Sequence, residues 1–201
     1  MLSTREIILC EAKKLFNSKG YNDASLRDIA NACNISIGNL TYHFKKKEVL
    51  VLEIQNTIYR NLSTKLKIHQ DYSLKGILNQ FKQIHENQLE YIYYFKNILE
   101  LCKSFEEIKD KQQNIRIILN DYYNKCFNEM KNHGVLRKDL SESNYSTLAF
   151  SFILHNTLWF ENGSPTYDET FNMLDFEDYL HDMLFPYLTE HGKAEYIKLV
   201  D

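Results

Sequence analysis

An all-α fold is predicted for this 201-residue chain by three observations. Only 2 Pro and 6 Gly interrupt it, so long helices can run unbroken. Apolar residues recur three and four apart along most of its length, the period of a helix buried on one face. No run alternates as a half-buried strand would, and no segment repeats. The expected plan is a three-helix domain over residues 1–48, then a larger helical bundle over residues 49–201.

The first helix is capped by Ser3 or Thr4. Its stripe is Ile8, Ala12, Leu15 and Phe16, and Gly20 ends it as a left-handed cap. Leu26, Ile29, Ala30 and Cys33 share one face of a second helix. Ser25 stands before it with Asp28 three residues on, a short version of the capping box. Asn34 suits the left-handed residue of a tight turn. Ser36 then caps a third helix of about two turns, ending at Tyr42 or His43. Two helices joined this way form a helix-turn-helix, whose second helix can enter the DNA major groove.

A fourth helix is expected from Lys46 to Ile68. Lys45, Lys46 and Lys47 crowd its start, where the macrodipole disfavours cations. DNA phosphates would relieve that conflict, so the three lysines are predicted to lie beside the backbone of bound DNA. Helical spacing then holds from Leu74 to Phe105. The charged stretch EEIKDKQQ reads as a connector or bend. Ile115, Ile118, Leu119, Tyr122, Tyr123, Phe127 and Met130 mark the next helix, closed by His133-Gly134. Ser141 caps a helix running to Asn162, and Gly163-Ser164-Pro165 breaks the chain. A last helix is expected from Asp168 or Asp175 to Leu188.

Charge is divided along the chain. Residues 1–50 hold 8 Lys and Arg against 5 Asp and Glu, and residues 51–201 hold 16 against 22. A basic head on an acidic body is the asymmetry expected when only the head meets phosphates.

The segment ISIGNLTYHF (Ile35 to Phe44), followed by Lys47-Glu48-Val49-Leu50, resembles the recognition helix and next helix start of the TetR family of bacterial transcriptional regulators. Leu15-Phe16, Gly20-Tyr21, Ser25 and Ile29-Ala30 fit the upstream part of that pattern. The chain departs from it with Cys33-Asn34 for Ala-Gly, Ile37 for Lys and Thr41 for an aromatic. The resemblance implies a homodimeric regulator, a repressor bound to double-stranded DNA and released by a small-molecule effector; a cytoplasmic location is expected because the sequence shows neither a signal peptide nor a membrane span. The resemblance places Ser25, Ser36, Tyr42, His43 and Lys47 near the DNA backbone; Lys46 lies beside them, and Arg27 is expected among the DNA-binding residues. Ile37, Gly38, Asn39, Thr41 and Tyr42 fall on the base-reading face. A dimer would address a palindromic operator, since its two-fold axis imposes two-fold DNA symmetry.

The helix from 141 to 162 is apolar on more than one face, which fits a subunit interface or a central core helix. With the last helix it matches the place where TetR-like proteins dimerise, so Leu148, Phe152, Phe160, Phe176, Leu180 and Leu184 are the expected interface. Tyr91 and Phe95, Tyr123 and Phe127, and His155 and Trp159 are each four apart and share helix faces. With Tyr122 and Asn156 they are expected to converge on an effector pocket. The acidic body favours a neutral or cationic ligand there.

Other functions find little support. The N-terminus carries charges inside its apolar pattern and is neither a signal peptide nor a membrane span. Cys10, Cys33, Cys102 and Cys126 show no paired metal or redox spacing, and Cys10 and Cys33, which lie on helical patterns, are expected to pack as small apolar residues. The seven His form no H-x-x-x-H pair, and no nucleophile–base pairing or phosphate loop occurs. Neither an enzyme nor a cofactor is expected. Two alternatives stay open: a DNA-binding regulator or activator without an effector, and a helical small-molecule-binding protein.

Overall fold

The computed structural model describes residues 2–68, 71–160 and 176–200. The elements are α1 (Thr4–Lys19), α2 (Leu26–Ala32), α3 (Ile37–His43), α4 (Lys47–Ile68), α5 (Leu74–Glu90), α6 (Ile92–Lys96), α7 (Ile98–Ser104), α8 (Glu106–Asn132), α9 (Glu142–Leu158), α10 (Phe176–Leu184), a 3-10 turn (Phe185–Tyr187) and α11 (Glu190–Val200). There is no strand among the described residues, only an isolated antiparallel bridge between Leu136 and Leu188. The fold is all-α, as the periodicity predicts.

The head follows its caps. Ser3 and Glu6 form a full capping box on α1, and Ser25 and Asp28 form another on α2. Gly20 ends α1 at φ +87°, ψ 155°, a positive φ but not the left-handed helical cap expected. Asn34 takes φ +55° in the turn between α2 and α3. Ile8, Ala12, Phe16, Ile29, Ala30, Leu40 and Phe44 are buried together, and Leu50 and Val51 of α4 extend the same apolar cluster into the body.

Three expectations about the body are corrected. The stretch from Leu74 to Phe105 is not continuous: α5, α6 and α7 break at Tyr91 and Asn97. At the first break Asn17 of α1 lays its side-chain amide across the gap. Its Nδ2 donates to the Glu90 carbonyl at 2.9 Å, and its Oδ1 accepts from the Tyr93 N–H at 3.2 Å. EEIKDKQQ is no connector but the first two turns of α8. Glu106 and Glu107 suit a helix N-terminus, and Lys111 bonds both Glu107 and Asn56 of α4. The chain also continues past Leu188 into α11. Its Gly192 is needed because a Cβ there would lie 2.2 Å from the Val135 carbonyl oxygen. The Gly163-Ser164-Pro165 break and the start of the expected last helix lie outside the described residues.

The expected interface residues are also corrected. Leu148, Phe152, Phe160, Phe176, Leu180 and Leu184 are each at most 5% exposed within a single chain. They face inward, where α9 and α10 pack on α5. The Phe152 ring lies 4.9 Å from Phe81, and Phe176 lies 5.3 Å from Trp159. What α9 offers outside is Phe150, 57% exposed, and Leu154, 42% exposed, one turn apart on its opposite side.

Head and body meet at α1 and the α5–α6 break. Besides Asn17, Lys13 pairs with the Glu90 carboxylate at 2.7 Å and lies over the Tyr91 ring. Phe16 packs on Tyr93 with ring centroids 5.1 Å apart. No described helix is long and apolar enough to cross a membrane.

Candidate nucleic-acid interface and effector cavity

The recognition helix is held from below and bare on top. Leu40 is its one buried residue. Ser36 caps it by accepting the Asn39 N–H at 3.1 Å. Ile37, Gly38, Asn39 and Tyr42 are exposed, and Tyr42 is 84% exposed with only the His43 ring at 5.2 Å beside it. A lone Tyr so open to water on a helix surface suits a partner outside the chain better than the fold. Gly38 has no positive φ, and a Cβ there would meet nothing nearer than the Ser36 Oγ at 3.8 Å. Nothing in the fold requires a glycine at this position. The Thr41 hydroxyl bonds back to the Gly38 carbonyl at 3.1 Å, so mainly its methyl group remains for contact.

Around this face stand exposed cations. Arg27, Lys45 and Lys46 are exposed and carry no ion pair among the described residues. Lys47 is different. Its Nζ donates to the carbonyls of Tyr21, Asn22 and Ala24 at 2.5, 3.2 and 3.0 Å, and lies 4.4 Å from the Tyr21 ring centre. All three donors of the ammonium are committed to the α1–α2 loop. Lys47, expected beside phosphate, here braces the head instead of presenting its ammonium to solvent. Lys47→Ala is expected to cost about 2 kcal/mol of stability, from charge-assisted bonds lost to half-buried carbonyls. Lys46→Ala should leave stability alone and lower the salt slope of DNA binding by about 1. Thermal melts and salt titrations of both variants separate the two roles. Ser25 is likewise occupied, donating its hydroxyl to Asp28 at 2.7 Å. Those bonds hold the Asp28 carboxyl below the usual range, so a negative charge stands at the start of α2.

Among the described residues, the expected effector residues do not converge on one cavity. Tyr91 lies under Lys13 of the head. Tyr122 donates to the Asp71 carbonyl at 3.3 Å beside Tyr72. Tyr123 and Phe127 fill the core against Phe152. His155 and Trp159 pack on Tyr179. The physical reason is that each i,i+4 pair does share a face, but the three faces meet different neighbours. Only Phe95 and Asn156 of the set line a small void of about 40 Å³ between α4, α5, α6, α8 and α9. Its apolar wall is completed by Ile58, Ile84, Ile115 and Leu119, and its polar wall by Asn87, Gln112 and Thr157.

Two amides hold that wall. Asn156 donates its Nδ2 to the Tyr123 hydroxyl at 2.7 Å, and Gln88 donates its Nε2 to the Asn156 carbonyl at 2.8 Å. Burial holds the Tyr123 phenol well above its ordinary pKa, so it stays neutral. Asn156 Oδ1 and Gln88 Oε1 are buried without a partner, a state that costs about 1–3 kcal/mol each. The signal for this wall in the sequence is Asn and Gln set into apolar stripes; it points to Asn156, while Gln88 goes unmarked. Larger open clefts lie elsewhere among the described residues. One, about 530 Å³, is bounded by α5, α8 and α11; another, about 330 Å³, lies between the head and α7. No group of three or more His, Cys, Asp or Glu among the described residues is placed to hold a metal.

A capped three-helix head with a bare third helix, set on an all-helical body, defines a helix-turn-helix protein. The comparisons agree. Residues 8–54 match the model of the tetR family of bacterial regulatory proteins. The regulator QacR of Staphylococcus aureus (strain Mu50) is 32% identical over 141 residues, 66% of this chain and 73% of QacR. The uncharacterized regulator YuxN of Bacillus subtilis (strain 168) is 34% identical over 94 residues, 45% of this chain; the chain spans about a third of YuxN, 32%. In the solved structures, a TetR-family regulator from Marinobacter aquaeolei VT8 superposes with a TM-score of 0.85 at 21% identity, over 98% of this chain and 97% of that one. The chain belongs to the TetR family. It is a helix-turn-helix transcriptional regulator, and the members of this family are regulators rather than enzymes.

Proposed function

We propose that the chain is a ligand-responsive repressor that binds a palindromic operator as a homodimer. Residues 1–48 form the DNA-binding head, and residues 49–201 dimerise and sense the effector. The observation that carries this reading is the bare outer face of α3, with Tyr42 exposed and Arg27, Lys45 and Lys46 open beside it. Ile37, Gly38, Asn39, Thr41 and Tyr42 read bases. Ser36, His43, Arg27 and Lys46 hold the backbone, and Ser25 contributes only by trading its Asp28 bond. Asn39 can pair bidentately with adenine, and the Ile37 side chain or the Thr41 methyl can pack on thymine methyls. Asn39→Ala is expected to relax one half-site position at about 1–3 kcal/mol. Binding to a set of single-base operator variants checks this, and a mutant that keeps the full preference would refute the role.

The second copy docks on the outer face of α9. Phe150 and Leu154 supply apolar area, and Ser143, Thr147 and Ser151 flank them with small side chains that let two helices approach closely. The effector enters the amide-walled void of the body. Gln88 joins that void to the end of α5, where Asn17 and Lys13 grip the break from the head. A ligand that prefers one position of this joint over another shifts the spacing of the two heads. The protein acts in the cytoplasm, where its DNA is.

A further inference from the structure

The body void shows what kind of molecule it accepts. Its polar wall consists of Asn87, Gln112, Asn156 and Thr157, with no charged side chain among the lining residues. Asn156 is 5% exposed and lines the void, and its amide is oriented by donating to Tyr123. The atom left without a partner is therefore an acceptor, Asn156 Oδ1. Gln88, bonded through its own amide nitrogen to the Asn156 carbonyl, leaves a second buried acceptor, Oε1. An ion entering here would shed its hydration and find no counter-charge. A molecule without a donor would leave the Asn156 oxygen as unsatisfied as before.

We propose that the effector is small, uncharged and mostly apolar, and that it donates one O–H or N–H group to Asn156 Oδ1. This rests on reading the void as the effector site. It narrows the neutral-or-cationic expectation drawn from the acidic body, because overall charge acts at the surface while this wall is neutral. A void of about 40 Å³ is smaller than such a molecule, so its walls part on binding. The wall includes Asn87, one turn from the break that Asn17 spans, so parting them loads the joint with the head.

One ring system tests the class. 2-Naphthol is neutral and donates, naphthalene is neutral and does not, 2-naphthoate is an anion, and 2-naphthylmethylammonium is a cation. Each is titrated into the full-length protein, read by thermal shift and by release of a labelled DNA selected from a random pool. 2-Naphthol is expected to bind at least tenfold more tightly than either ion and about tenfold more tightly than naphthalene. Asn156→Leu should erase the preference for naphthol over naphthalene. If that variant does not fold, the four-compound series on the unaltered protein still decides the matter. Equal or tighter binding of the anion or cation, with DNA release, keeps the effector site but overturns the neutral class. Naphthalene binding as well as naphthol overturns the donor role of the ligand. Silence of all four compounds up to their solubility overturns the effector reading of this void together with the class.

Discussion

Replacing Leu180 by Glu is expected to unfold the protein rather than part a dimer. Leu180 is fully buried in α10, on the face that packs against α5. The substitution removes an apolar side chain whose burial is worth about 1.5–3 kcal/mol. It also places a carboxyl group where no partner is prepared, which costs several kcal/mol more or forces the group to stay protonated. Net stability of a domain is only about 5–15 kcal/mol, so one such change can exhaust it. Circular dichroism against temperature is the measurement. Loss of the cooperative melt at 25 °C, or a very large fall in melting temperature, is the expected result. A well-folded monomer would return Leu180 to the subunit interface.

The paired substitution of Phe150 and Leu154 by Glu is expected to give the opposite phenotype. Both side chains are exposed on α9, so the single chain loses little by the change. If a second copy covers them, four carboxylates are brought together in the assembled pair, and like charges in a desolvated interface are strongly unfavourable. Sedimentation should show a folded monomer at concentrations where the unaltered protein is a dimer. DNA affinity should fall by two or more orders of magnitude, because each head then binds its half-site alone and the gain from linking two heads is lost. A dimer that persists with unchanged affinity would place the interface on another surface.

These two variants also mark where the sequence was legible. In the head, each local signal had one reading. Ser25, Asp28, Asn34 and Ser36 are cap and turn residues whose chemistry acts within three or four positions. In the body, the signals depend on contacts across the fold. Helix 142–158 is apolar on two sides, and nothing local says which side meets its own chain. The inward face holds Leu148 and Phe152, and the outward face holds Phe150 and Leu154. Lys47 looked like a phosphate ligand because its partners, three backbone carbonyls, lie more than twenty residues away. The break at Tyr91 was hidden for the same reason, since its partner Asn17 belongs to α1. Of the residues around the small void, the sequence points to Phe95 and Asn156 but not to Asn87, Gln112 or Thr157, whose place depends on how five helices meet; Tyr123 and Phe127 pack in the core instead.

The claim that the outer face of α3 reads an operator for two copies of this chain is tested most directly by selection from a random DNA pool. The bound sequences should converge on a motif with dyad symmetry, and its half-sites should be spaced to suit two heads on one face of the duplex. Affinity for the selected sequence should fall steeply with salt, and Tyr42→Ala should abolish its advantage over random DNA. A pool that does not converge, or a converged motif bound equally well after Tyr42→Ala and Asn39→Ala together, would contradict the account.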